Sequence, residues 1–245
     1  MSAILSPRLA IPLLMFLASV FAANHIAARV AFDHGTSIAA AVAVRSGVTA
    51  LVIAILLRLQ SIGLSLPRDT LLKGLGIGLL VALQSFCLYS AVAIIPVALA
   101  LLAFNTFPLL YVLLSWAAGG ENPGRRALVA MPLALFGLVL ALDIVGSLQS
   151  IAGRWAEIGV GVGWALGSAA SFSCVLFLTT RHLKEVDGRV RALMTMGTTA
   201  VVVGLAGAAT GSLALPVDTT GWIGLALLTV LTAAPSPRSL SWCRS

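Results

Sequence analysis

Residues 74–118 read GLGIGLLVALQSFCLYSAVAIIPVALALLAFNTFPLLYVLLSWAA, and no charged side chain interrupts the chain between Lys73 and Glu121. A helix needs about 20 mainly apolar residues to cross a hydrocarbon core about 30 Å thick. This stretch is long enough to cross twice. Only helices and closed barrels satisfy their backbone in lipid, and the run lacks the period-two alternation of a strand. It therefore predicts two helical spans, near 72–94 and 96–118. Almost nothing separates them but Ile95-Pro96, so they form a tight helical hairpin.

The same pattern continues outward. Apolar runs predict further spans near 10–32, 38–57, 127–144, 158–180 and 192–212, with a shorter apolar stretch at 221–234. Breakers and charges sit between them, at Asp33-His34-Gly35, Pro67-Arg68-Asp69, Gly119 to Pro123, and Arg181 to Arg191. The fold class is an all-α membrane protein, a polytopic bundle of seven to eight spans. Composition agrees. The chain is 60% hydrophobic and 9% charged, where a soluble domain carries about a quarter charged residues. Arg8 followed by an apolar stretch ending at Val20-Phe21-Ala22-Ala23 has the form of a signal peptide. Apolar character resumes through Ile26-Ala27-Ala28 to Phe32, so a retained first span is the reading taken.

The net charge of +7 is not that of a nucleic-acid binder, because the basic residues lie between apolar runs and form no stripe. With a cytoplasmic N-terminus, the inner segments hold Arg8, Arg58, Arg68, Lys73, Arg125, Arg126, Arg181, Lys184, Arg189, Arg191, Arg238 and Arg244. The outer segments hold Arg29 and Arg154, and Arg45 falls within a span. That bias follows the positive-inside rule. Cys87 and Cys174 lie in apolar runs and read as packing residues; with Cys243 the count is odd, and no disulfide framework or metal site is implied. Gly159, Gly163 and Gly167 recur four apart, as do Gly74 with Gly78 and Gly207 with Gly211. Such spacing lets helix backbones approach.

No nucleophile–base–acid set and no phosphate-binding loop is present, and His25, His34 and His182 have no metal-ligand spacing. No enzyme activity and no cofactor is expected. What remains are polar groups at membrane depth, which are costly there and candidate functional residues for that reason. Arg45 lies about 10 Å inside span 2 at 1.5 Å per residue. It is either a fixed cation for an anionic substrate, or a structural Arg that snorkels outward or pairs with Asp33. Asn24 is either a cavity residue or an interhelical hydrogen bond of about 1 kcal/mol. His25 beside it reads as a packed residue rather than a proton carrier. Pro108 removes a backbone bond and clashes with the Phe104 carbonyl, breaking the helix beside Asn105 and Thr106. A broken helix can line a binding site, or merely improve packing. Gln84 and Tyr89 are further cavity candidates. Glu121 either caps the end of span 4 or pairs with Arg125 or Arg126. Asp143 and Glu157 flank the connection between spans 5 and 6, and no acidic residue lies deep in any span.

Three stretches together carry a family resemblance. Phe21-Ala22-Ala23-Asn24-His25-Ile26-Ala27-Ala28-Arg29 is similar to a Trp-Gly-x-Asn-Phe pattern with a trailing basic residue, Asn24 matching and Phe21 and Ala22 departing. Arg45 falls where the family places an Arg. Ala98 to Glu121, with Pro108, Ser115-Trp116 and Gly120-Glu121, looks like a span-4 signature ending in Gly-Glu. Over residues 9–232 the chain resembles the EamA-type branch of the drug/metabolite transporter superfamily. The resemblance implies ten helices in two inverted five-helix repeats, with export or exchange of small metabolites, often amino acids, across a bacterial inner membrane. Residues 9–144 would be the first repeat and 155–234 an incomplete second, opening at Gly161 to Leu166. Residues 235–245 read as an aberrant polar tail. The expected partners are the lipid bilayer, a small-molecule substrate and a second copy of the chain, with no nucleic acid. The candidate site is Asn24, Arg45, Gln84, Tyr89, Asn105 and Pro108. The competing expectation is a non-transporting truncated membrane protein or an assembly partner.

Overall fold

The computed structural model describes residues 7–63, 66–119, 132–133, 136–137 and 155–233. The helices are α1 Pro7–Asp33, α2 Ile38–Leu59, α3 Arg68–Ile94, α4 Val97–Phe104, α5 Phe107–Ala117, α6 Trp155–His182, α7 Gly188–Ala209 and α8 Thr219–Ala233. Among the described residues there is no strand. α2, α3, the α4–α5 pair, α6 and α7 are each long and apolar enough to cross a membrane. The predicted span at 127–144 lies almost wholly outside the described residues, as do Gly120, Glu121 and the tail at 235–245.

Local chemistry sets the helix ends. A residue before proline is pushed toward extended backbone. Ile95, before Pro96, has φ −117° and ψ 161°, so α3 stops at Ile94 and α4 starts at Val97. Ser37 caps α2 by accepting from the Ala40 N–H at 3.2 Å. Asp187 caps α7 by accepting from the Arg189 N–H at 2.8 Å. The predicted break in span 4 is present. α4 ends at Phe104, and Pro108 lies in the first turn of α5, where a missing N–H does least harm. Asn105 Nδ2 donates to the Leu101 carbonyl at 2.7 Å and Thr106 Oγ1 to that of Ala103 at 2.8 Å, so side chains take up carbonyls at the break.

The helices pair as α1 with α8, α2 with α7, and α3 with α6, with further contact of α2 with α8 and α3 with α7. Exchanging α1, α2 and α3 for α6, α7 and α8 turns α1–α8 into α3–α6 and α2–α8 into α3–α7, and α2–α7 into itself. α1 and α8 run antiparallel: Thr232 Oγ1 bonds Asn24 Oδ1 at 3.0 Å, while Gly224 lies against Ala27 and Ala31. α3 and α7 run parallel, with Gly74 against Met194 and Gly78 against Thr198.

Without water between helices, close packing holds such a bundle. Its central cluster is small-residue rich, with Ala28, Ala31, Ala41 and Val42 fully buried around Tyr89 and Leu228. The outer surface is apolar, including Leu51, Leu72, Leu205 and Val230, as a lipid-facing surface requires. Gly74, Gly78 and Gly207 sit at close contacts as their spacing suggested, while Gly211 forms a turn at φ +65°. Gly159 and Gly163 meet nothing within 4 Å. In α6 the close contact belongs instead to Gly161, packed on Ile95. Spacing of four cannot say which face of a helix is turned inward. Arg58, Arg68, Lys73, Arg181, Lys184, Arg189 and Arg191 gather at one end of the bundle; among the described residues only Arg29 lies at the other.

At that other end the α1–α2 turn is tied to the segment before α8. Ser37 N donates to the Ala214 carbonyl at 3.0 Å and Val217 N to that of His34 at 3.2 Å. His34 Nδ1 lies 2.6 Å from Asp218 Oδ2, and Gly221 N donates to Asp218 Oδ1 at 2.8 Å. The Gly221 N–H, followed by the His34 ring, holds the Asp218 carboxyl below its ordinary value of 3.8. A carboxyl depressed in the folded state stabilises above its unfolded value and loses that contribution as pH falls through the folded one. Asp218 is thus expected to stabilise fully at neutral pH and to lose its contribution only in strong acid. Melting curves of wild type and Asp218→Ala should differ near neutral pH and converge in strong acid, below the ordinary carboxylate range. A constant difference across that range would contradict the assignment.

Candidate functional site

A cavity of about 410 Å³ opens where α1, α2, α3, the α4–α5 break and α6 meet. It is lined by Asn24, His25, Arg45, Gln84, Ser85, Tyr89 and Asn105 on its polar side, and by Phe21, Leu88, Phe104, Phe107 and Phe172 on its apolar side. The structure therefore brings together Asn24, Arg45, Gln84, Tyr89 and Asn105, drawn from α1, α2, α3 and the helix break. Pro108 is not in the lining. It ends the helix, and its neighbours Phe104, Asn105 and Phe107 form the wall.

Arg45 is the centre of the polar side. Its Nη2 donates to Ser85 Oγ at 2.8 Å, and its guanidinium carbon lies 5.0 Å from the centre of the Tyr89 ring. Its Nε is buried without a partner among the described residues. The alternative pairing with Asp33 is overturned. Asp33 is engaged by Arg29, whose Nε lies 3.0 Å from Oδ1 while its Nη1 donates to the Val92 carbonyl at 2.9 Å. Arg45 turns inward to α3 rather than outward to the interface. Among the described residues, no acidic side chain lines the cavity.

The remaining polar groups hold one another in place. Ser85 Oγ accepts from Arg45 and donates to Gln84 Oε1 at 3.4 Å. Gln84 Nε2 donates to Ser168 Oγ at 3.2 Å, and that hydroxyl donates to the Gln84 carbonyl at 3.0 Å. Asn24 Nδ2 donates to the Tyr89 hydroxyl at 3.4 Å, while its Oδ1 accepts from Thr232 of α8. The apolar side is an aromatic cluster: Phe104, Phe107 and Phe172 have ring centres 4.9–5.5 Å apart. Ser85, Ser168, Thr232 and the phenylalanines were missed in the sequence. Polar residues within spans were their only signal there, and serine and threonine inside spans more often serve packing. A second, wide-mouthed cleft of about 570 Å³ lies at the Arg29 end, lined also by Ala93, Ile94, Ala156, Glu157 and Val160. Its arginine is already engaged, so we place the chemistry in the smaller cavity.

The family comparison decides what such a bundle is for. The description "EamA-like transporter family" matches residues 8–142, more than half of the chain. The chain belongs to the EamA-like transporter family. No curated protein and no solved structure matches it. The matched EamA segment carries Asn24, Arg45, Gln84, Tyr89 and Asn105, whereas Ser168 and Phe172 come from α6 beyond it. As an EamA-like protein this is a multi-pass membrane protein of small-molecule transport and not an enzyme.

Proposed function

We propose that the cavity binds a small metabolite through a carboxylate, an amino acid with a large apolar side chain being the class that fits. The chain would carry it across the bacterial inner membrane by efflux or exchange. The observation behind this reading is Arg45: a guanidinium whose buried Nε has no partner, in a cavity with no acidic lining residue, among the described residues. A cation at membrane depth is tolerated where it meets a counter-charge or water. A substrate carboxylate supplies the charge. The Phe104, Phe107 and Phe172 wall would take the apolar part.

The transport movement would be a rocking of two inverted repeats about this site, since α1–α3 and α6–α8 exchange roles in the packing. The basic end of the bundle would face the cytoplasm, which puts the N-terminus there. A second copy of the chain is retained as a proposed partner.

Binding of L-phenylalanine and of L-phenylalaninamide to the purified chain tests this. The amide keeps ring and amine and lacks the carboxylate. A charge-assisted hydrogen bond contributes about 1.5–3 kcal/mol, so the amide is expected to bind about ten- to a hundredfold more weakly. Equal affinities would remove the carboxylate from the reading.

A further inference from the structure

His25 is the cavity group that the proposed function leaves unused, and a role for it rests on that carboxylate reading. The ring is 2% exposed and lines the same cavity as Arg45. Neither of its nitrogens has a hydrogen-bond partner among the described residues. Aromatic contacts hold it: Phe21 edge-on at 4.7 Å and Tyr89 at 5.8 Å between ring centres. Tyr89 also carries the Arg45 guanidinium, so imidazole and guanidinium pack on one ring. A neutral imidazole has one N–H and one lone pair, and burying both unpaired is unfavourable.

Every other His, Asp and Glu of the described residues lies at a helix end or in a connection. The charged or titratable groups facing His25 are few. α2 presents Arg45 and α3 presents Tyr89. Cys87 of α3 is turned toward Gly167 of α6. On α1 itself, Arg29 lies one turn outward and is bonded to Asp33. The described parts of α4 and α8 that pack on α1 contain no titratable side chain.

A second positive charge beside Arg45 is unfavourable while no anion is bound. A carboxylate in the cavity reverses the balance, because it attracts both cations. We infer that substrate binding takes up a proton, and that His25 receives it. The proton comes from solvent to the imidazole lone pair, the carboxylate stays ionised, and it lies between the Arg45 guanidinium and the imidazolium. Proton and substrate then bind together rather than in competition, so the substrate binds more tightly as pH falls.

Calorimetric binding of L-phenylalanine to the full chain tests this between about pH 5.5 and 7.5, where an imidazole titrates. Two buffers of different ionisation enthalpy count the protons. The expected result is an affinity that rises toward about tenfold per pH unit as pH falls, with uptake approaching one proton. His25→Gln and His25→Phe, the latter shaped for the slot between Phe21 and Tyr89, should bind with no pH slope in that window. A flat wild-type profile, proton release on binding, or variants that keep the slope would overturn the inference while leaving the carboxylate site standing. Absence of binding at every pH would remove the carboxylate site, and this inference with it.

Discussion

Arg45→Met is expected to abolish L-phenylalanine binding while leaving the melting temperature of the purified protein unchanged or raised. The two halves of this outcome have one cause. Truncating one partner of a buried, hydrogen-bonded charge pair costs about 2–5 kcal/mol of binding energy, or about thirty- to several-thousandfold in affinity. Removing a buried charge that has no ionic partner among the described residues leaves no counter-charge stranded and relieves its desolvation cost. Among the described residues, Arg45 meets one hydroxyl, Ser85, and one ring face, Tyr89, and no carboxylate. Its stability contribution is therefore small and its binding contribution large. Arg45→Lys keeps the charge and loses the planar fork, and Lys cannot engage Ser85 and a carboxylate in the same geometry. It should bind more weakly than wild type and more tightly than Arg45→Met. If Arg45→Met lowers the melting temperature and leaves binding intact, Arg45 is a structural residue.

Much of this site was legible in the sequence because lipid makes two demands visible. A span needs about 20 apolar residues, so helix boundaries follow from the breakers. α2 and α3 end within a few residues of the predicted limits, and α8 turns the short stretch at 221–234 into the helix Thr219–Ala233. Polar residues inside spans are costly, so Asn24, Arg45, Gln84, Tyr89 and Asn105 stood out one by one. What the sequence lacked was distance. Nothing in it says that Arg29, four residues away, takes Asp33 and releases Arg45 to α3. Nothing in it joins Gln84 to Ser168, since that bond depends on α3 packing against α6. The α6 glycines show the same limit, as Gly161 and not Gly159 or Gly163 meets a neighbour. His25 read as a packed residue because a histidine in an apolar span is more often packed than a proton carrier. That its two nitrogens find no partner among the described residues is a statement about space that no spacing rule contains.

The second large effect is expected at Gly224. A Cβ there would stand 3.0 Å from Ala31 N, 3.1 Å from Ala27 O and 3.3 Å from Ala31 Cα. These are backbone atoms of α1, so no side chain can swing aside. Either the helices separate or α8 slides. Overpacking of this kind costs about 1–3 kcal/mol, and Gly224→Leu should lower the melting temperature accordingly. Gly197 is the control, since a Cβ there meets nothing within 4 Å. Gly197→Ala in the interior of α7 should be neutral or stabilising by up to about 1 kcal/mol, because alanine favours helix. The consequence reaches the site. Thr232 lies two turns along α8 from Gly224 and bonds Asn24, whose amide reaches the Tyr89 hydroxyl. Parting α1 from α8 loosens Asn24 first, and with it the Tyr89 ring on which Arg45 and His25 both pack. Gly224→Leu should therefore weaken L-phenylalanine binding as well as stability, and Gly197→Ala should weaken neither. A Gly224→Leu protein that melts and binds like wild type would mean that α1 and α8 do not meet backbone to backbone, and that Asn24 is held by something other than α8.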